Sequence, residues 1–210
     1  MKVRGLYAIT PAFEGEALLA RVRRALQGAG PGGLLQYRAK ATDASLRAHD
    51  ARALAALCRA HGATYIVNDD LELALAVNAD GLHLGRDDGE LGAARARLGA
   101  KLLGVSCYDS LERARAAVAA GADYVAFGSV FPSSTKPGAV RAPLALFAAA
   151  RALGVPLVAI GGITLENAPQ VLAAGADCVA VISDLFDARD VAARARAFAH
   201  LFHSNARSTP

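Results

Sequence analysis

Ala120-Gly121-Ala122-Asp123 runs directly into the apolar stretch Tyr124-Val125-Ala126-Phe127-Gly128, and this junction is the clearest architectural signal in the chain. A glycine at that point supplies the left-handed residue that stops a helix, and the β-branched and aromatic residues after it favour a strand. The same junction recurs as His61-Gly62-Ala63-Thr64, Val77-Asn78-Ala79-Asp80 and Ala174-Gly175-Ala176-Asp177, so one helix-then-strand block is used repeatedly. Working outward, the strand candidates are Leu6 to Thr10, Leu34 to Arg38, Tyr65 to Asn68, Gly81 to Leu84, Leu102 to Ser106, Tyr124 to Gly128, Leu157 to Gly161 and Cys178 to Ile182. They alternate with helical segments at about 25 residues per unit, the spacing of a parallel βα barrel. A doubly wound open sheet uses the same block. Eight strands favour closure, however, and no Gly-x-Gly-x-x-Gly turn follows the first one. The expected fold is α/β, a single (βα)8 TIM barrel over residues 1–203, with a polar, frayed tail at 204–210.

Composition narrows the function classes. The chain of 210 residues is 54% hydrophobic, enough for a large core, but its apolar runs of Ala, Leu and Val fall well short of a membrane span. Gly5-Leu6-Tyr7-Ala8-Ile9 is too brief and too β-like for a signal peptide, so a cytoplasmic address is expected. The net charge of +4 is spread over helical stretches such as Arg21-Val22-Arg23-Arg24, Arg194 and Arg196. Trp is absent and no aromatics interleave with the basic residues, so no nucleic-acid partner is expected. Cys58, Cys107 and Cys178 are odd in number and far apart, which reads as reduced thiols and not as a zinc site or disulfide framework. The exposed helices of a barrel leave room for a homodimer without marking an interface.

In such a barrel, chemistry is built at the C-terminal ends of the strands. Gln36-Tyr37-Arg38-Ala39-Lys40 follows the apolar pair Leu34-Leu35, and alternation sends Gln36, Arg38 and Lys40 to one face, where two cations and an amide suit a highly charged anion. Asn68-Asp69-Asp70 and Gly85-Arg86-Asp87-Asp88 are acidic turns on adjacent strands. Their carboxylates suit Mg²⁺ bound together with a substrate phosphate, and helix capping by Asp70 or Asp87 is the alternative. His83 has no ligand-spaced partner and reads as structural. After Gly104-Val105-Ser106, the next strand runs into Phe131-Pro132-Ser133-Ser134-Thr135-Lys136-Pro137-Gly138, where three hydroxyls and an ammonium can hold phosphate oxygens. Gly161-Gly162-Ile163-Thr164 and Ile182-Ser183-Asp184 close the last two strands, and those loops are the usual phosphate site of these barrels. Two anion sites, one cationic and metal-assisted and one neutral, fit two phosphorylated substrates.

The fragments "QYRAK", "ND", "GLHLG" followed by acids, "GVS", "ADYVAFGSVFPSSTK", "AIGGI" and "VIS", in this order at successive strand ends, resemble the thiamine-phosphate synthase family over nearly all of the chain. That resemblance implies a transferase that joins a hydroxymethylpyrimidine diphosphate to a thiazole phosphate, giving thiamine phosphate and diphosphate. It implies that the Gln36 to Lys40 segment (Gln36, Tyr37, Arg38, Ala39, Lys40) and Asn68 bind the pyrimidine diphosphate. It also implies that Asp69 and Asp88 coordinate Mg²⁺, that Ser106 contacts the pyrimidine and that Lys136 contacts the diphosphate. Ser133, Ser134 and Thr135 would lie near the thiazole phosphate, and Gly162, Ile182 and Ser183 would receive it. Arg38, Lys40, Ser106 and Lys136 are the implied catalytic set.

Three departures from the family pattern stand out. Arg86 occupies a usual Gln position, Ser133-Ser134-Thr135 replaces Thr-x-Thr, and Cys107-Tyr108 stands where His is common. A related thiazole tautomerase shares the barrel and looks to depend on that His. It is one alternative, and a noncatalytic binder of thiazole or thiamine phosphates is the other.

Overall fold

The computed structural model describes residues 3–39, 43–85, 89–132 and 140–205. Eight parallel strands close into a barrel in sequence order: β1 (Gly5–Ile9), β2 (Leu34–Tyr37), β3 (Thr64–Asn68), β4 (Gly81–Leu84), β5 (Leu102–Tyr108), β6 (Tyr124–Phe127), β7 (Leu157–Ile160) and β8 (Cys178–Val181). Closure is made by β8 pairing β1, with Leu6 opposite Val179. The helices are α1 (Gly15–Ala29), α2 (Ala44–His61), α3 (Leu71–Ala76), α4 (Leu91–Leu98), α5 (Leu111–Ala119), α6 (Ala145–Ala150), α7 (Ala168–Ala173), α8 (Ser183–Phe186) and α9 (Val191–Asn205), with a 3-10 turn at Arg151–Leu153. The short α8 is an addition to the expected eight, inserted between β8 and α9.

Strand alternation builds two apolar layers. Tyr7, Ile9, Leu34, Ile66, Tyr124, Ala126, Val158, Cys178 and Ala180 fill the barrel interior. Leu35, Tyr37, Val67, Leu82, Val105, Phe127 and Val179 face outward into the helix layer, where they meet residues such as Leu54 and Phe147.

The junctions that revealed the repeat lie at the N-terminal rim. Gly62, Asn78, Gly121 and Gly175 all take positive φ, between 51° and 110°. Three of these turns then use an aspartate in the same way. The Asp80, Asp123 and Asp177 carboxylates accept the backbone amides of Tyr65, Leu103 and Leu157 at 2.8, 2.7 and 2.9 Å. Each of the three donates its own amide back to the carbonyl of the same residue. An aspartate ahead of β4, β6 and β8 therefore clips the start of β3, β5 and β7, pairing backbone groups that would otherwise be orphaned at the barrel floor. A cation from a neighbouring segment tightens each turn: Lys101 reaches the Ala79 carbonyl, Arg95 the Gly121 carbonyl and Arg151 the Gly175 carbonyl.

Candidate active site

At the opposite rim the strand ends surround a cavity of about 350 Å³ with an apolar floor of Ala126, Val158 and Ala180. Gln36 and Arg38 both line it, as alternation requires, while Lys40 lies outside the described residues. The other parity goes elsewhere. Tyr37 is buried in the helix layer with its hydroxyl donating to the Arg47 carbonyl at 3.4 Å, and Ala39 packs against the same layer, so neither side chain faces this cavity. Gln36 and Arg38 thus share the face that alternation assigns them, and Tyr37 and Ala39 take the other. The end of β2 is pinned by Thr10, whose hydroxyl accepts the Arg38 amide at 2.8 Å and donates to the Arg38 carbonyl at 3.3 Å. Thr10 had drawn no functional reading from sequence.

Asn68 and Asp69 form the acidic corner. Asn68 lines this cavity and also a second one, of about 440 Å³, which it shares with Tyr37, Ala39, Arg47, Asp69 and Asp70 on the α2 and α3 side of the rim. Asp69 is held at φ 64°, a left-handed conformation uncommon for a residue with a side chain and typical of functional sites. Its Oδ2 accepts from Asn68 Nδ2 at 2.5 Å. Asp70 has a different role: its Oδ1 accepts the Leu73 amide at 2.9 Å as the N-cap of α3, and Oδ2 pairs with Arg47 at 3.2 Å. Asp88, Asp87 and Arg86 lie outside the described residues.

Ser106 lines the cavity from β5, and its carbonyl accepts Arg113 Nε at 2.9 Å. The ladder slips between Ser106 and Tyr108, which turns Tyr108 to φ 55° and adds it to the cavity wall. At the position where the tautomerase pattern would place a His, Cys107 is buried, and burial pushes its thiol up to about 12. Cys58 and Cys178 are likewise free and buried, as the sequence suggested, so the described thiols are inert.

The far wall is glycine-rich. Gly161 and Gly162 have φ 98° and 63°, and a Cβ would sit 2.2 Å from Ser129 Oγ at the first and 2.1 Å from the Pro132 carbonyl at the second. Only glycine lets the β7 turn lie against the segment that leaves β6. Asn167 ties that turn, donating from Nδ2 to the Gly162 carbonyl and accepting the Thr164 amide, both at 2.9 Å. Ile182 and Ser183 complete the wall, and the nearby Asp184 pairs with Arg194 at 3.2 Å and accepts the Leu165 amide at 3.1 Å. Ser129, Asn167 and the Asp184–Arg194 pair were not read from sequence, and only the Gly-Gly step signalled how tightly this wall is packed. Ser133, Ser134, Thr135 and Lys136 lie outside the described residues.

Among the described residues no helix is long and apolar enough to cross a membrane. A family model described as "Thiamine monophosphate synthase" matches residues 6–185. The chain is 61% identical over 204 residues to the thiamine-phosphate synthase of Aromatoleum aromaticum, covering 96% of this chain and 97% of that protein. It is 59% identical over 203 residues to that of Chromobacterium violaceum, with the same two coverages. Among solved structures, thiamine phosphate pyrophosphorylase from Pyrococcus furiosus superposes with a TM-score of 0.84 at 35% identity, over 95% of this chain and 96% of the other. With a closed parallel barrel and a cavity at its C-terminal rim, the chain belongs to the thiamine monophosphate synthase family of transferases, which form thiamine phosphate.

Proposed function

We propose that the cavity joins the diphosphate of an aminopyrimidine-methanol to a thiazole phosphate by dissociative displacement. The observation that supports this reading is the division of one cavity between a side with Arg38, Asn68 and Ser106 and a glycine-rich side with Gly162, Ile182 and Ser183. The first suits a diphosphate with its attached ring. The second offers small residues and a hydroxyl for a monophosphate.

Asp69 supplies hard oxygen ligands, and Asn68 keeps one carboxylate oxygen oriented. Carboxylate oxygens at a strand end suit a hard cation shared with substrate oxygens. Asp69, together with Asp88 from the sequence resemblance, would hold Mg²⁺, which when bound offsets charge on the departing diphosphate.

The remaining work falls to the protein. Arg38, with Lys40 and Lys136, would stabilise negative charge as the C–O bond breaks and its electron pair leaves with diphosphate. The pyrimidine-methyl carbon becomes cationic, and the thiazole nitrogen's lone pair forms the new C–N bond. No side chain acts as nucleophile. Holding the two rings in line over the apolar floor makes capture a neighbour reaction and excludes water. A cytoplasmic location belongs to the same proposal.

The test is product formation from the two precursors, with Mg²⁺ and with chelator, in wild type and Asp69→Ala. Metal-dependent thiamine phosphate and diphosphate formation, reduced by at least about 100-fold in the variant, is expected. Activity that persists in chelator and in the variant would overturn the metal assignment. Thiazole phosphate binding without any product would favour the noncatalytic reading.

A further inference from the structure

Five side chains from five strands form a continuous hydrogen-bonded line beneath the cavity. Gln36 Nε2 donates to the Tyr7 hydroxyl at 3.0 Å, the Tyr7 and Tyr124 hydroxyls meet at 2.8 Å, Tyr124 meets His83 Nδ1 at 3.2 Å, and His83 Nε2 meets Ser106 Oγ at 2.9 Å. Gln36, Tyr7, Tyr124 and His83 are all 6% exposed or less. Room for the line is built in. A Cβ on Gly104 would fall 2.0 Å from Tyr124 Cζ and 2.3 Å from its hydroxyl.

Proton counting gives this line a direction. Burial raises both phenols well above their ordinary range, so each carries one proton. The Tyr7 hydroxyl accepts from an amide nitrogen that can only donate, so its own proton is used by Tyr124. The Tyr124 proton then goes to His83 Nδ1. An imidazole that accepts at Nδ1 carries its proton on Nε2, and that proton goes to Ser106 Oγ. The Ser106 proton is left for a molecule in the cavity that Ser106 lines. Turning the Gln36 amide over would reverse every bond and make Ser106 an acceptor, so the orientation of one amide sets the hydrogen-bonding character of a residue four links away.

We propose that this line is proton-ordered: Tyr7, Tyr124 and His83 are positioning residues that hold His83 as its neutral Nε2–H tautomer and present Ser106 as a hydrogen-bond donor. The kinetic consequence rests on the reading that Ser106 contacts the pyrimidine. The proton order does not.

Two measurements separate these claims. The first is the histidine side-chain 15N–1H correlation spectrum of the unliganded wild-type chain, with the His83 signals identified by their loss in His83→Gln. The expected pattern is an unprotonated Nδ1 and a protonated Nε2. In Gln36→Glu, whose carboxylate can only accept from Tyr7, the pattern is expected to switch to Nδ1–H. A wild-type Nδ1–H or doubly protonated ring overturns the proposal, and so does a pattern that Gln36→Glu leaves unchanged. The second is the steady-state kinetics of Tyr124→Phe, which keeps the ring stacked on His83, with centroids 5.6 Å apart, and removes the link. The expected result is about a tenfold fall in kcat/KM for the aminopyrimidine diphosphate, the effect of one oriented hydrogen bond, with the KM for thiazole phosphate unchanged. Unchanged kcat/KM, or an equal loss for both substrates, would overturn the positioning role. If wild type forms no product at all, the functional reading fails while the tautomer measurement still stands or falls by itself.

Discussion

The two rims of this barrel set the same side chain in opposite surroundings. At the N-terminal rim, Asp80, Asp123 and Asp177 fold back onto the backbone, each accepting one strand amide and so completing the ladder. At the C-terminal rim, Asp69 sits on a left-handed backbone and lines a cavity. A carboxylate with its hydrogen bonds made inside the fold contributes stability. Asp69 is held in a costly conformation at a strand end beside a cavity, with one oxygen accepting from Asn68, and that conformation persists because the surrounding structure enforces it. The lesson concerns context, since Ala79-Asp80 and Asn68-Asp69 differ little as local sequence and very much in backbone conformation and surroundings.

The most direct way to break this contrast is Asp69→Gly. Glycine takes φ 64° without strain, so stability is expected to stay within about 1 kcal/mol of wild type while turnover falls at least about 100-fold. Thermal denaturation alongside the product assay checks both. A variant that unfolds would put Asp69 in the same structural role as its N-terminal counterparts. Gly162→Ala probes the opposite wall. Its Cβ would meet the Pro132 carbonyl at 2.1 Å on a backbone that disfavours alanine, so the turn must move. The KM for the thiazole phosphate is expected to rise about tenfold, with a stability loss of about 1–3 kcal/mol. A raised KM for the pyrimidine substrate alone would reassign that wall.

The barrel was legible because helix stops and strand starts are local. The junctions at Gly62, Asn78, Gly121 and Gly175 announce themselves within four residues, and the expected strands match the observed ones to within two residues at either end. The largest miss is the extension of β5 to Tyr108, which follows from a ladder slip that no local pattern encodes. Strand-end alternation correctly turned Gln36 and Arg38 inward, and the opposite parity of Tyr37 and Ala39 places their side chains toward the helix layer. Nothing in the sequence could reveal that His83 is one link of five. Tyr124, which joins it to Tyr7, is 41 residues away from the one and 117 from the other, and the bond exists only once the barrel has closed. A lone His in a strand looks structural because its partners are nonlocal.

The N-terminal clips yield a smaller prediction that sharpens the contrast. Asp123→Ala leaves the buried Leu103 amide without its carboxylate partner and removes the 2.8 Å pair with Arg95. The Asp123 side chain is 41% exposed, so the ion pair contributes little, and the expected loss of about 1–3 kcal/mol comes from the orphaned amide. Asp123→Asn keeps an acceptor oxygen and should recover most of it. Urea denaturation measures both variants, and kcat should match wild type wherever they are folded. A kcat effect in Asp123→Asn would show that the two rims are coupled.

The smallest effect is expected where charge alone acts. Glu72 and Arg97 form a two-pronged pair, with Nη2 to Oε2 at 2.9 Å, yet Glu72 is 72% exposed and Arg97 49%. The Arg97 hydrogen bonds hold the Glu72 carboxyl below its usual range. A depressed folded value places any stabilisation above the unfolded carboxyl pKa of about 4.3 and removes it as the pH falls through the folded value. Solvent screening and the entropy of fixing two long side chains act against that gain. Melting curves of wild type and Glu72→Gln are therefore expected to coincide at neutral pH and physiological salt, as well as below pH 4. Curves that separate at neutral pH and converge in acid would show that an exposed pair on the helix surface stabilises the fold, a role otherwise assigned to the aspartates that clip its strands.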